Sequence, residues 1–285
     1  MATKDYGGDT TAMYSDSLVN AVRNFQTRHG MKATGIVTDS MISLLNIAPE
    51  ERVQQILVNM NRALWMPPVT DSNRIEVNLP SQMLYVYTDS GKALEMPVIV
   101  GKEGDGTVMF TSAINQVVFN PSWNIPKSIV EEEILPKMKA DAGYLKKNNM
   151  EVVRQNDSIP VLRQLPGKDN PLGEVKFLFP NTHDIYLHDT PDKRLFANNN
   201  RALSHGCIRV GDAAKLATFL LSNAQWNDQK VSAAMAANKE QTVKLDKAFP
   251  VAITYFTAYV TPSGTVSYQN DIYGHDKAAM QKMFL

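Results

Sequence analysis

The sequence has one cysteine in 285 residues, Cys207, so an internal disulfide is excluded. A single thiol suits a reducing compartment. It equally suits an oxidising one, where a needed thiol has no second thiol to trap it. Charge of one sign is not in excess either, because 29 Lys and Arg balance 29 Asp and Glu. Without a basic surplus, nucleic acid is not an expected partner. No run of about 18 apolar residues occurs, so no membrane-spanning helix is expected. The opening MATKDYGGDTTAMYSD is polar, reads as disordered and lacks the pattern of a signal peptide. There is no C-x-x-C pair and no H-E-x-x-H, so no metal site is expected, and no cofactor. What remains is 44% hydrophobic and 20% charged, the composition of a globular protein with ample material for a core. The length suggests about two domains.

The apolar period is helical at first. Leu18, Ala21, Val22 and Phe25 share one face, with Gly30 as a stop. A turn at Thr34-Gly35 leads into a second helix that Thr38 or Asp39 can cap, with Met41, Leu44 and Leu45 inward. Two short helices cannot bury a core alone and need a partner. A third helix begins at Pro49, with Val53, Ile56, Leu57, Met60 and Leu64 as its expected inner stripe, and Pro67-Pro68 marks a boundary. From residue 73 the period changes to two. RIEVNL, QMLYVY, ALEMPVIV and SAINQVVFN read as strands, with a hairpin turn at TDSGK. EVKFLFP (174–180), DIYLHD (184–189), PVAITYFTAYV (250–260) and TVSYQ (265–269) form a second β-rich block, with TPSG as a turn. Residues 211–223 read as a helix with Ala213, Leu216, Ala217 and Leu220 inward.

Residues 124–173 differ from both blocks. They are rich in charge, Pro and Asn, with short helical pieces and little regular structure expected. Long irregular insertions are usually lids or linkers, so a mobile cap is expected here.

Cys207 stands in RALSHGCIRV. Gly206 lets a substrate carbonyl approach the backbone. Consecutive N–H groups at His205, Gly206 and Cys207 can converge as an oxyanion hole. A thiol nucleophile also needs a base. Of the five histidines, His29 and His275 lie in the helical start and the C-terminal stretch, and His205 is aimed elsewhere by the turn at Gly206. His183 and His188 are five residues apart, on opposite faces of an extended strand, and His188 follows the apolar run IYL. His188 is therefore the expected base, with a neighbouring backbone carbonyl, that of Asp189, to orient it. Arg209 can pair with a substrate carboxylate or form a structural ion pair. Tyr186 shares the His188 face and can line the pocket or pack in the core. Trp123 opens the insertion and can line the cleft or anchor the cap.

Fifteen residues separate His188 from Ser204 in IYLHDTP…LF…RALSHGCIRV. This spaced pattern resembles the L,D-transpeptidases with a YkuD-type catalytic domain. AVRNFQTRHGMKATGIVTDSMISLLN resembles the end of a peptidoglycan-binding helical module. NPSWNIP, ILPKM, GYL and NDIYGHD resemble the large periplasmic YcbB-like branch, which carries a cap inserted in its catalytic domain. The resemblance implies an α+β fold in which a mixed β-sheet or sandwich domain with an inserted helical cap follows a small, truncated helical module. The expected division is a partial binding module at 1–49, a connecting helix and linker at 50–72, a catalytic domain at 73–270 with the cap at 124–173, and a tail at 271–285. The module's first helix, and a membrane anchor in the inner membrane, are expected in a longer form.

The resemblance also implies the reaction. Cys207 attacks the carbonyl between a diaminopimelate and the terminal D-Ala of a stem tetrapeptide, and D-Ala leaves. A second stem's side-chain amine resolves the thioester into a 3→3 cross-link in the periplasm. His188 is then catalytic with Cys207, Gly206 and His205, while Arg209, Tyr186, Ser204 and Trp123 bind substrate. Stem peptides are the implied partners, carbapenem β-lactams the implied covalent inhibitors, and other cell-wall enzymes further partners. The alternatives are an L,D-carboxypeptidase-type cysteine hydrolase and a non-catalytic wall-binding protein.

Overall fold

The computed structural model of the chain describes residues 5, 7, 13–65, 72–155, 159–222, 225–261 and 264–284. Most of the polar start, the Pro67-Pro68 boundary and the tip of the TPSG turn lie outside the described residues. In chain order the elements begin with α1 (Asp16–Arg28), α2 (Asp39–Leu45) and α3 (Pro49–Trp65). Strands β1 (Arg74–Asn78), β2 (Met83–Thr88), β3 (Gly91–Gly101), β4 (Phe110–Phe119) and β5 (Trp123–Asn124) follow. Next come α4 (Lys127–Ile129), a π-helical turn (Val130–Ile134), α5 (Leu135–Ala140), α6 (Tyr144–Lys147), β6 (Met150–Arg154) and β7 (Val161–Gln164). Strands β8 (Val175–Leu178) and β9 (Leu187–His188) precede a 3-10 turn (Lys193–Ala197), β10 (Ala202–Ser204) and β11 (Ile208–Val210). The chain continues through α7 (Ala213–Leu221), α8 (Asp228–Ala236), β12 (Gln241–Thr254), β13 (Ala258–Val260), β14 (Val266–Tyr268) and α9 (His275–Phe284).

Two compact units result. The first comprises Met1–Thr70, Val77–Met83 and Ile253–Leu285. Ser15 and Thr38 cap α1 and α2 by accepting from Leu18 N and Met41 N, each supplying an acceptor that a helix start lacks. Val22 and Phe25 of α1 bury against Met41 of α2. The partner these helices require is the C-terminal segment. Ser267 Oγ donates to the Arg28 carbonyl at 2.9 Å, and His29 stacks between Phe25 and Tyr268 at 3.9 and 5.5 Å. Residues 271–285, expected as a tail, carry α9 instead.

Helix α3 departs from its expected orientation. Val53, Leu57, Met60 and Leu64 are exposed, Leu64 by 84%. The buried face holds Gln55, Val58, Asn59 and Arg62. The reason is specific bonding. Gln55 Nε2 donates to Thr257 O at 3.1 Å, Asn59 Nδ2 to Thr257 Oγ1 at 2.7 Å, and Arg62 to Tyr255 O at 2.8 Å and Asp276 Oδ1 at 2.7 Å. Buried polar groups that find every partner can outcompete an apolar stripe for the inside. Leu45 of α2, also expected inward, is likewise exposed.

The second unit comprises Asp71–Glu76 and Leu84–Ala252. Its sheet runs β10-β3-β11-β9-β8-β4-β12-β1-β2, and β2 also pairs with β3, so the ladder returns on itself. The expected α+β class holds. β11 is parallel to β9 and antiparallel to β3, and β9 is antiparallel to β8. Val210, Ile208, Leu187 and Phe177 fill one face and are fully buried. Leu216 and Ala217 of α7 are buried with them, and Phe119 stacks on Trp226 at 5.3 Å.

The insertion is more regular than its composition suggests. Strands β5, β7 and β6 form a separate antiparallel sheet, and the helical pieces lie beside it. Ile125, Val130, Ile134 and Leu162 make its own core, with Trp123, Leu135, Met138 and Tyr144 packed around them. Asn170 pins its base by donating to Pro121 O at 3.0 Å.

Candidate active site

The ladder places chemistry on the sheet face opposite the apolar core. Arg209 on β11 pairs with His188 on β9, which pairs with Lys176 on β8. These side chains share one face because residues opposite one another in a ladder point the same way. Tyr186, two residues before His188, has its ring 5.6 Å from the imidazole. Cys207 directly precedes β11, two residues before Arg209, and Ile208 N–H donates to the Tyr186 carbonyl at 3.2 Å. The expected strand 184–189 is shorter than its alternation suggests. It begins at Leu187, because Asp184 takes a φ of 54°. His183 lies in the preceding exposed turn, its ring 5.7 Å from Phe110.

His188 is buried, and its Nδ1 meets the Asp189 carbonyl at 2.5 Å. That contact makes Nδ1 the protonated nitrogen and leaves Nε2 as the basic one. Burial first, then the Arg209 charge, lowers the imidazole pKa to about 3, so it is neutral at ordinary pH. Asp189 is itself fixed. Its carboxylate accepts from Glu174 N at 3.0 Å and pairs with Lys193. Gly173 is required there: it has a φ of +61°, and a Cβ would fall 2.3 Å from Asp189 Oδ2.

Cys207 is half-buried, with its Sγ 3.6 Å from the Asp184 carbonyl. Burial raises its pKa, and hydrogen bonds from the Tyr186 backbone and side chain draw it back down. The loop before it is pinned from two sides. Ser204 Oγ donates to Cys207 O at 2.6 Å and accepts from Gly206 N at 3.2 Å. Thr107 Oγ1 donates to Gly206 O at 2.8 Å and accepts from Gly101 N at 2.9 Å. The Gly206 N–H is therefore occupied, contrary to the expectation that three consecutive amides converge. Gly206 has a φ of +112°, while a Cβ would meet only Asp105 O at 3.8 Å. Dihedral freedom, rather than room, is what glycine supplies at this position.

The remaining expected residues divide. Arg209 stands in the row, with its Nε buried and unpartnered. His205 is exposed on the loop. Trp123 packs in the insertion's apolar cluster. Lys176 and Thr107 escaped the sequence reading. A lone lysine inside the apolar strand VKFL was the available signal for the first, and nothing local marks the second. Among the described residues no group of three or more His, Cys, Asp or Glu is placed to hold a metal ion. No helix among them is long and apolar enough to cross a membrane.

The sheet thus brings an oriented imidazole and two cations to one face, next to the loop that carries the thiol. Residues 72–253 match the L,D-transpeptidase catalytic domain (YkuD), and residues 3–45 match the "Putative peptidoglycan binding domain". The chain belongs to the L,D-transpeptidase family. It is 35% identical over 240 residues to a "Putative L,D-transpeptidase" of Haemophilus influenzae, covering 79% of this chain and 48% of that protein. The chain thus spans about half the length of the curated relative it matches. Among solved structures, an L,D-transpeptidase from Stackebrandtia nassauensis is 13% identical, covering 88% of this chain and 85% of its own, with a TM-score of 0.32. L,D-transpeptidase 3 from Mycobacterium tuberculosis, in complex with a faropenem-derived adduct, is 12% identical, covering 64% and 60%, with a TM-score of 0.33.

Proposed function

We propose that this protein forms 3→3 cross-links between peptidoglycan stems in the periplasm through a thioester on Cys207. What supports the reading is the oriented imidazole: His188 Nδ1 is committed to the Asp189 carbonyl, which leaves Nε2 to take a proton, and His188 pairs in the ladder with Arg209, two residues after Cys207. His188 Nε2 accepts the Sγ proton as sulfur attacks the carbonyl between diaminopimelate and the terminal D-Ala. The N–H groups of His205 and Cys207 stabilise the oxyanion, since Gly206 N–H serves Ser204. The C–N bond then breaks, the imidazolium returns its proton to the departing D-Ala nitrogen, and the thioester remains. In the second half, the side-chain amine of another stem attacks the thioester and gives a proton to His188. The C–S bond breaks, the new amide forms, and His188 reprotonates the sulfur. No oxidant or cofactor enters this balance.

Tyr186 holds the sulfur and lines the site, Ser204 fixes the loop, and Arg209 faces the acyl side. The helical module belongs to wall binding and the insertion to a cap that restricts water. Carbapenems acylate the same thiol, because opening a strained lactam needs the same nucleophile and base. The test is incubation with tetrapeptide muropeptides and separation of products by mass. Cross-linked dimers with one D-Ala lost are the expected product. Free tripeptide alone would make the protein an L,D-carboxypeptidase instead, and unchanged substrate would leave it a wall-binding protein.

A further inference from the structure

The row Arg209–His188–Lys176 places one cation on each side of the imidazole, on three adjacent strands. The two strand spacings separate the cations by about 10 Å at the backbone. Neither has an ion pair among the described residues. Lys193, the other cation near His188, is different: it is half exposed and paired with Asp189. Lys176 is only partly exposed, its ammonium lies 5.9 Å from the Tyr186 ring centroid, and Glu240 acts on it only from beyond ion-pair distance. A partly desolvated charge without a counter-charge is unfavourable unless an anion joins it. Inside a candidate site, the natural anion is part of the substrate.

The order of the row says which part. Cys207 directly precedes β11 and Arg209 lies on it two residues later, so Arg209 lies on the acyl side. The leaving amine must sit at His188, which returns the proton to it. Whatever follows that amine lies beyond His188, on the side of Lys176.

We infer that Lys176 binds the terminal carboxylate of the leaving residue, restricting the donor to peptides that end one residue after the attacked carbonyl. This rests on the acyl-transfer reading above and adds the specificity determinant to it. A chain that continued past this residue would bring a neutral amide to Lys176 in place of a carboxylate.

The test compares a tetrapeptide donor bearing a free terminal carboxylate with its C-terminal carboxamide. Acylation is followed by intact mass on wild type, Lys176→Met, Lys176→Gln and Lys176→Arg. Wild type is expected to favour the acid at least tenfold. Lys176→Met and Lys176→Gln should lose that preference by slowing only the acid donor, and Lys176→Arg should retain much of it. Preference retained in both neutral variants, or equal loss with acid and carboxamide, would overturn the assignment. Equal loss with a displaced pH profile would mean that Lys176 acts only on His188. The wild-type comparison needs no variant, so a failure to fold does not remove the test. Binding of both donors to Cys207→Ala separates this inference from the transpeptidase reading. Acid preference in binding without any wild-type adduct would sink that reading alone, and adducts without acid preference would sink this inference alone.

Discussion

At the scale of single residues, His188 and His183 carry opposite expectations. His188→Ala should slow acylation of Cys207 by about 10²–10⁴-fold, the usual worth of a positioned base. His183→Ala should change it little, since His183 is exposed beside Phe110. Single-turnover mass spectrometry reads both, and equal losses would mean that the wrong histidine has been assigned. The pH profile follows from burial. An ordinary imidazole is protonated below about pH 6.5 and stops acting as a base there. Burial and Arg209 lower His188 to about 3, so acylation should persist from about pH 7 down to about pH 5 without a limb near 6.5. The Cys207 thiol is raised, so direct alkylation by iodoacetamide should climb only on the alkaline side. A limb centred near pH 6.5 would contradict the neutral-imidazole state. Cys207 and His188 were legible because a lone thiol in a glycine turn and a histidine ending an apolar run each leave a local trace. Thr107 left none, because its role depends on contact with Gly206, which is remote in sequence and reached only on folding.

At the scale of elements, α3 tests how buried polar groups decide orientation. Asp276→Asn removes the charge that Arg62 needs inside the first unit and weakens its bond to Thr257. The loss should be about 3–5 kcal/mol in urea unfolding, the usual result of leaving a buried charge alone. A loss below about 1 kcal/mol would mean that the pair behaves as a surface one. Periodicity misread α3 because it registers apolar spacing only, and the partners of Gln55, Asn59 and Arg62 lie some two hundred residues away. The strand ending at His188 was overextended for a related reason: alternation continues through Asp184, but the backbone turns left-handed there. The insertion was read as irregular because its charged surface masks a small core. Leu162→Ala, at a fully buried position in that core, should cost about 2–5 kcal/mol locally and leave alkylation of Cys207 intact. Limited proteolysis of residues 124–173 would show this, and no change in cleavage would mean that the core does not hold the insertion together.

At the scale of the whole molecule, a chain of zero formal charge depends on contacts rather than long-range attraction to find its substrate. The change from helices to strands near residue 73 was legible from the switch between helical and alternating periods. The participation of residues 253–285 in the first unit was not, because it arises from pairing between opposite ends of the chain. Replacing residues 125–169 with a short Gly/Ser linker should leave the nine-stranded sheet folded, since the insertion has its own core and sheet. If the insertion excludes water, hydrolysed product should then rise relative to cross-linked product. An unchanged ratio in the folded protein would refute the gating role. The most direct measurement of the central claim is the intact mass of the protein after brief exposure to a tetrapeptide stem donor. Wild type should gain the donor mass less D-Ala, on Cys207, and the gain should vanish on adding an acceptor amine. Cys207→Ala should gain nothing. A gain of the same size on Cys207→Ala would contradict the account.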